Sequence, residues 1–520
     1  MTRQSACAAV VLGGMLAGIG APVRADDWPQ WGGTPAKNMV ADEPGLPASF
    51  EPGVKDPQSG TIDPATTKNV KWARKVCSKT YSTPVIAGGK VFVCGAPGSK
   101  GGVIVCLEEQ TGKELWRWQT TESKYNFGIC ATPVVEGDRL YVVNQSSEAM
   151  CLDVNGEEDG QGGRRARVVW IVNLEKEFKT SPADNFCGSC VIDGELLYVP
   201  TSNGINPLGA EAKMFILDKQ YKGGRKILDD PSVYAVPSPG APNVVVFDKR
   251  TGKAVATDDT PIAANLLKGQ WSSFALGRVG ARNLIVYGGG DGVCYAFEAL
   301  PGQAKLKTVW SCDCNPEEYK NYGGLPRIVH YYHGDSRWGG TDNKNDGTYA
   351  GVCEIIATPV FHNNRIYVAI GRDAAFGRGR GALQCIDATK TGDITATGKL
   401  WTYQGLDWTT STISLADGLI YLADGAGKLH CVDAETGRGL WVHETKSSML
   451  LGSTLVADGK VFMPTSKGLF VFAAGREKKL LAQINVGAPV YSSPVAANGT
   501  LYVAAHNGWL WAVHQSPARP

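Results

Sequence analysis

An all-β fold, an eight-bladed β-propeller of four-stranded blades, is predicted by three observations. One phrase recurs about eight times. It reads STPVIAGGKVFV from Ser82, ATPVVEGDRLYVV from Ala131, ATPVFHNNRIYVA from Ala357, STISLADGLIYLA from Ser411, STLVADGKVFM from Ser453 and SSPVAANGTLYVA from Ser492. Each copy is a short apolar run, a Gly/Asn/Asp turn and an alternating run of β-branched and aromatic residues, which is the signature of a β-hairpin. The composition, 64 Gly and 28 Pro with no long helical periodicity, fits strands joined by turns. A unit repeated at similar spacing means stacked copies that bury one another's faces.

Taken in chain order, residues 1–25 read as a signal peptide. Arg3 gives a positive start, Ala6–Gly20 is an apolar segment of the right length, and Pro22 followed by Val23-Arg24-Ala25 supplies the break and the cleavage site. Cys7 lies inside the apolar segment and not at the cleavage point, so a lipid anchor is not expected. No later segment has the roughly 20 apolar residues of a membrane-spanning helix. The mature chain is therefore expected to be exported, periplasmic or extracellular, and soluble. Residues 26–68 form a Pro/Gly-rich extension, residues 69–514 the propeller and residues 515–520 a tail.

Within the propeller, the third strand of each blade leads through a turn to a fourth strand carrying tryptophan. In blade 1 Thr111-Gly112 precedes Trp116, and in blade 6 Thr436-Gly437 precedes Trp441. Trp170, Trp310 and Trp401 take that place in blades 2, 4 and 5. Blade 3 keeps the Thr251-Gly252 turn without the tryptophan, and blade 7 lacks both. The last blade runs through Tyr491–Val495, Thr500–Ala505 and Trp509–His514 and then ends one strand short. Asn69–Val76, with Trp72, supplies the missing strand, so that the two ends of the chain close the ring and remove its open edge. Long insertions are expected near 203–242 in blade 3 and 313–354 between blades 4 and 5.

The chain has 14 cysteines. Cys106, Cys151, Cys294, Cys385 and Cys431 read as one repeat position, on the strand after the hairpin. Equivalent positions in different blades lie too far apart to bridge, so these act as small buried apolar residues. Cys187 with Cys190, and Cys312, Cys314 and Cys353 among themselves, are the better candidates for bridges. A net charge of +2 gives no field that would call for nucleic acid.

The repeat, with its Thr-Gly turn and following tryptophan, resembles the pyrroloquinoline-quinone (PQQ) repeat of the quinoprotein-like propellers, and the likeness covers most of Asn69–His514. Members of that family also often open with a Trp-Pro-x-Trp phrase, here Trp28-Pro29-Gln30-Trp31. The resemblance implies that Trp72, Trp116, Trp170, Trp310, Trp401 and Trp441 are docking residues pinning neighbouring blades. It implies one of two roles: a PQQ- and calcium-dependent oxidoreductase of alcohols or sugars, or a non-catalytic module such as the BamB-like members. Fold does not choose between them.

The residues favour the second role. There is no Cys-Cys pair of the kind many such enzymes carry, and no segment aligns with the family's calcium ligands or catalytic aspartate. In DNKNDG (Asp342–Gly347) Lys344 stands where a calcium loop wants oxygen and Cys353 where it ends in glutamate. His330, His333 and Asp335 have a spacing that would suit a divalent metal, and the basic loop Gly371–Gly381 could clamp a carboxylate; solvated loops are expected for both. Tyr81, Phe186, Trp271 and Tyr491 stand at the start of innermost strands and are the candidate channel rim, with blade-to-blade packing the blander expectation. The expectation is thus a non-catalytic binding or scaffold module, with no catalytic residue, no metal site and no cofactor. PQQ with calcium is the alternative, and an unidentified protein or glycan the partner.

Overall fold

The architecture is that of a computed structural model describing residues 27–98, 100–121, 127–182, 188–204, 236–300, 302–315, 352–372, 381–447 and 451–515. Eight antiparallel sheets follow one another in chain order, each with its first strand innermost. Blade 1 comprises Val85–Ala87, Lys90–Gly95, Val103–Glu108 and Glu114–Gln119. Blade 8 takes three strands from the end of the chain, Val495–Ala497, Thr500–Ala504 and Trp509–Val513, and its fourth from Val70–Lys75. Trp511 pairs with Ala73 and Ala512 with Trp72, so the expected closure by an N-terminal strand is what the chain does.

The turns between first and second strands explain the recurring Gly/Asn/Asp pairs. Gly88-Gly89, Asn363-Asn364, Asp417-Gly418, Asp458-Gly459 and Asn498-Gly499 all have positive φ at both positions. Two consecutive left-handed residues make the type I′ turn whose twist matches a hairpin.

The core lies between blades. The faces of blades 1 and 2 meet through Phe92, Ile104, Trp116, Leu140 and Leu152, and those of blades 2 and 3 through Tyr141, Val143, Val199 and Phe247. Across most blades runs a row of three side chains on one face: an aromatic on the second strand, a small residue on the third, tryptophan on the fourth. In blade 2 these are Tyr141, Cys151 and Trp170; in blade 6, Tyr421, Cys431 and Trp441. The two rings stand about 6 Å apart by centroid, 6.0 Å in blade 2 and 6.1 Å in blade 6, and the middle residue must be small to admit both. Cys106, Cys151, Cys385 and Cys431 fill that place. Cys294 does not. Ala296 faces Trp310 in blade 4, and Cys294 sits two residues earlier opposite Cys312. Cys190, Cys312, Cys314 and Cys353 are buried free thiols, and Cys187 lies outside the described residues.

Blade 4 gains a fifth strand when Gly392–Asp393, from a turn of blade 5, pairs parallel to Trp310 and Ser311 on its outer edge. Blade 7 gains one on its inner edge, where Val40–Ala41 runs parallel to Val456–Ala457. The signal segment, the histidines at 330 and 333 with Asp335, and the loop at 342–347 lie outside the described residues. Among the described residues, no helix is long and apolar enough to cross a membrane.

Candidate functional site at the axis of the ring

Each docking tryptophan reaches into the next blade. The indole N–H groups of Trp72, Trp116, Trp170, Trp310, Trp401 and Trp441 donate to the carbonyls of Glu109, Val154, Lys249, Ala388, Ala434 and Gly475 at 2.9–3.3 Å. The Thr-Gly turn receives them. A Cβ on Gly112, Gly252 or Gly437 would stand 2.5–2.7 Å from the ring of Trp72, Trp170 or Trp401, and each glycine also has positive φ. Turn geometry and docking therefore both demand glycine there.

Where the innermost strands begin, the blades are joined by a closed circle of hydrogen bonds. The backbone N–H of Thr83 donates to the hydroxyl of Thr132, and the same step repeats through Ser189, Ser273, Thr358, Thr412, Ser453 and Ser493 back to Thr83, at 2.8–3.3 Å. This is why every copy of the recurring phrase carries Ser or Thr five residues before the hairpin turn.

On the side of the hairpin turns the axis is occupied by the chain's own extension. Trp28 exchanges backbone hydrogen bonds with Ile86 of blade 1. The carbonyls of Pro29, Pro35, Ala36 and Met39 then accept from the N–H groups of Val135, Leu276, Phe361 and Val456, in blades 2, 4, 5 and 7. The Asn38 amide satisfies both backbone groups of Leu415 in blade 6, and Glu43 accepts from Asn498 and Gly499 in blade 8. Residues 28–43 thus form a strap that visits seven blades in ring order and pairs groups that would otherwise be orphaned. The Trp31 indole N–H donates to the Thr358 hydroxyl, so the strap touches the hydroxyl circle directly. Lys37, wholly buried, donates to the Gln30 side chain at 2.7 Å, and burial pulls its ammonium down from 10.5 to about 7.

The opposite face carries the rim. Tyr81 and Tyr491, from blades 1 and 8, lie parallel at 5.9 Å, and His506 packs against both at 4.7 and 5.0 Å. Phe127 meets the edge of Tyr81, with the Lys79 ammonium 5.5 Å from its ring. Burial keeps the His506 pKa low, so its imidazole is neutral at pH 7. Trp271 is not part of this group: it stands in blade 4, with the Lys268 ammonium 5.0 Å over its ring. Phe186 lies outside the described residues. The repeat register identifies Tyr81, Tyr491 and Trp271 from sequence, whereas His506 and Phe127 join only through the fold, on connections with no repeat signature.

Residues 61–257, 329–443 and 379–477 match the family described as outer membrane protein assembly factor BamB, more than half of the chain. The chain belongs to this family. It is also similar to the quinohemoprotein alcohol dehydrogenase ADH IIB of Pseudomonas putida, 23% identical over 439 residues, which cover 75% of this chain and 59% of that protein. Among solved structures, BamB from Moraxella catarrhalis matches with a TM-score of 0.54 at 13% identity, covering 86% of this chain and 99% of that one. Quinohemoprotein alcohol dehydrogenase from Comamonas testosteroni matches with a TM-score of 0.46 at 14% identity, covering 95% and 82%.

A quinone cofactor with calcium would need an aromatic plane, cations for its carboxylates and a cage of anionic oxygens. Trp271 with Lys268 provides the first two. Among the described residues no three Asp, Glu, His or Cys side chains converge to hold a metal ion.

Proposed function

We propose that this chain is an exported, non-catalytic propeller that acts as a binding or scaffold module for a protein or glycan partner. The observation that carries this reading is how the innermost strands are engaged: eight hydroxyls join them blade to blade in a closed circle, and the strap at residues 28–43 pairs with seven blades on the side of the hairpin turns. A face left to partners is then the one bearing Tyr81, Tyr491 and His506, where flat half-exposed rings can stack on an apolar side chain or a sugar face. Membership of the assembly-factor family supports a scaffold role. Export rests on the signal-like residues 1–25.

The second reading, a PQQ- and calcium-dependent oxidoreductase of alcohols or sugars, is supported by the likeness to the Pseudomonas putida dehydrogenase and by the Lys268–Trp271 pair. Calorimetric titration of PQQ into the mature chain with calcium present separates the two. The scaffold reading expects no heat of binding from folded protein. One-to-one binding at micromolar or tighter affinity would overturn it, and a screen of alcohols and sugars with an artificial electron acceptor would follow.

A further inference from the structure

Blade 4 departs from its neighbours at one step of its outer ladder. Two residues before the small residue that faces tryptophan, blades 1, 5 and 6 set bulk against bulk: Ile104 pairs with Trp118, Leu383 with Tyr403 and Leu429 with His443. In blade 4 the same step pairs Cys294 with Cys312. Among the described residues it is the one place where sheet register sets cysteine against cysteine. Each stands two residues from a member of the Ala296–Trp310 pair, so both side chains lie on that face. Both are wholly buried there, in one cluster with Ile366, Val368 and Ile370 of blade 5.

We propose that Cys294 and Cys312 are joined by a disulfide that staples the third and fourth strands of blade 4. Directly opposed residues of antiparallel strands have Cα atoms about 4.5–5.5 Å apart, within the span of bridged cysteines. The staple restores bulk at a step where other blades have it, and it fixes the end of the fourth strand, Lys307–Asp313. Cys314 continues the ladder, its N–H donating to Gly292 at 3.0 Å. Two residues along an extended run separate Cα atoms by about 6.7 Å, the upper end of the bridged range, and the Cys314 thiol instead donates to the Cys312 carbonyl at 3.5 Å. The charged groups beside Cys353 are Arg372 and Glu354, and the Asn315 amide holds its backbone at 2.7 and 3.1 Å.

Closure removes two protons and two electrons, and a small-molecule disulfide, oxidised glutathione, accepts the electrons. The Cys294 thiolate attacks one glutathione sulfur and expels a glutathione thiolate. The Cys312 thiolate then attacks the Cys294 sulfur and expels the second. Both cysteines precede every strand of blade 5, so the pair can be oxidised before Ile366, Val368 and Ile370 cover it.

The test is cell-free synthesis of residues 26–520 in a buffer holding both forms of glutathione, which makes it independent of export. Denaturation, alkylation without reductant and trypsin follow; Lys305 and Lys307 lie between the two cysteines, so cleavage separates them. The expected product is the Cys294 peptide joined to the Cys312 peptide with Cys314 alkylated, and no joined product from synthesis in dithiothreitol. Cys314→Ser should keep the link and Cys312→Ser should lose it. The oxidised parent should also melt a few degrees above the reduced one, a difference absent from Cys294→Ala/Cys312→Ala. Alkylation of all three cysteines in oxidised, folded chain would overturn the proposal. So would a link from Cys312 to Cys314 or Cys353, a link that survives Cys312→Ser, or a melting difference that persists in the double variant.

Discussion

At the scale of single residues, the docking tryptophans divide by burial. Trp310 and Trp116 are 0 and 2% exposed, while Trp441 and Trp401 are only half-buried. Removing a fully buried ring costs about 3–5 kcal/mol through lost transfer energy and the cavity left behind. Trp310→Ala is therefore expected to lower the urea midpoint by more than Trp441→Ala does, although both indoles make the same hydrogen bond to the next blade. Equal losses would mean that the hydrogen bond, and not the buried area, carries the docking. The tryptophan positions were legible in the sequence because the Thr-Gly turn and the ring recur together. The small residue between two rings was legible only in part: cysteine marks it in four blades, but alanine takes it opposite Trp310, and Cys294 looked equivalent only because its spacing from the hairpin is similar.

At the scale of elements, the strap is the part that sequence reasoning placed only loosely. Its Trp-Pro-Gln-Trp phrase marked it as part of the repeat family, but nothing in a single copy of an irregular segment shows that its carbonyls answer one blade after another. Its buried Lys37 gives it a pH signature. The ammonium has a pKa of about 7 in the folded chain, against 10.5 for a lysine free in water, so between those limits the unfolded state holds more protons. Stability must rise with pH across that window, and below about pH 7 the full cost of burying the charge remains. The urea midpoint should accordingly climb from pH 7 to pH 9.5 more steeply in the parent than in Lys37→Met, where the charge is gone. Parallel slopes would show that Lys37 does not titrate where its burial says it should.

At the scale of the molecule, the ring was the most legible feature, because periodicity survives even where individual blades lose their tryptophan or turn. The candidate site was the least legible. The circle of hydroxyls could be guessed from the repeated Ser or Thr, yet Tyr81 and Tyr491 meet only because the first and last blades are neighbours. That closure rests on Val70–Lys75 pairing with Trp509–Val513. A chain beginning at Cys77 should lose it together with the strap at residues 28–43, leaving the Trp509–Val513 edge open and the tyrosine pair unsupported. The expected outcome is loss of a single cooperative melt and a rise in light scattering on heating; a melt like that of the full chain would show that seven complete blades suffice.

The same closure has a temporal side. Residue 72 can pair only when residue 512 exists, so the strand nearest the start of the propeller waits through the synthesis of nearly all the rest. Until then, Trp72, which docks against Gly112 as well as pairing with blade 8, has only one of its two settings available. Non-local pairings of this span are slow to form and leave unpaired strands exposed on the way. Blades 1 to 7 can assemble as the chain emerges, but the circle of hydroxyls, which needs Ser493 to reach Thr83, is necessarily among the last contacts made. The ring therefore behaves as a clasp: its final hydrogen bond reports that the whole chain has arrived.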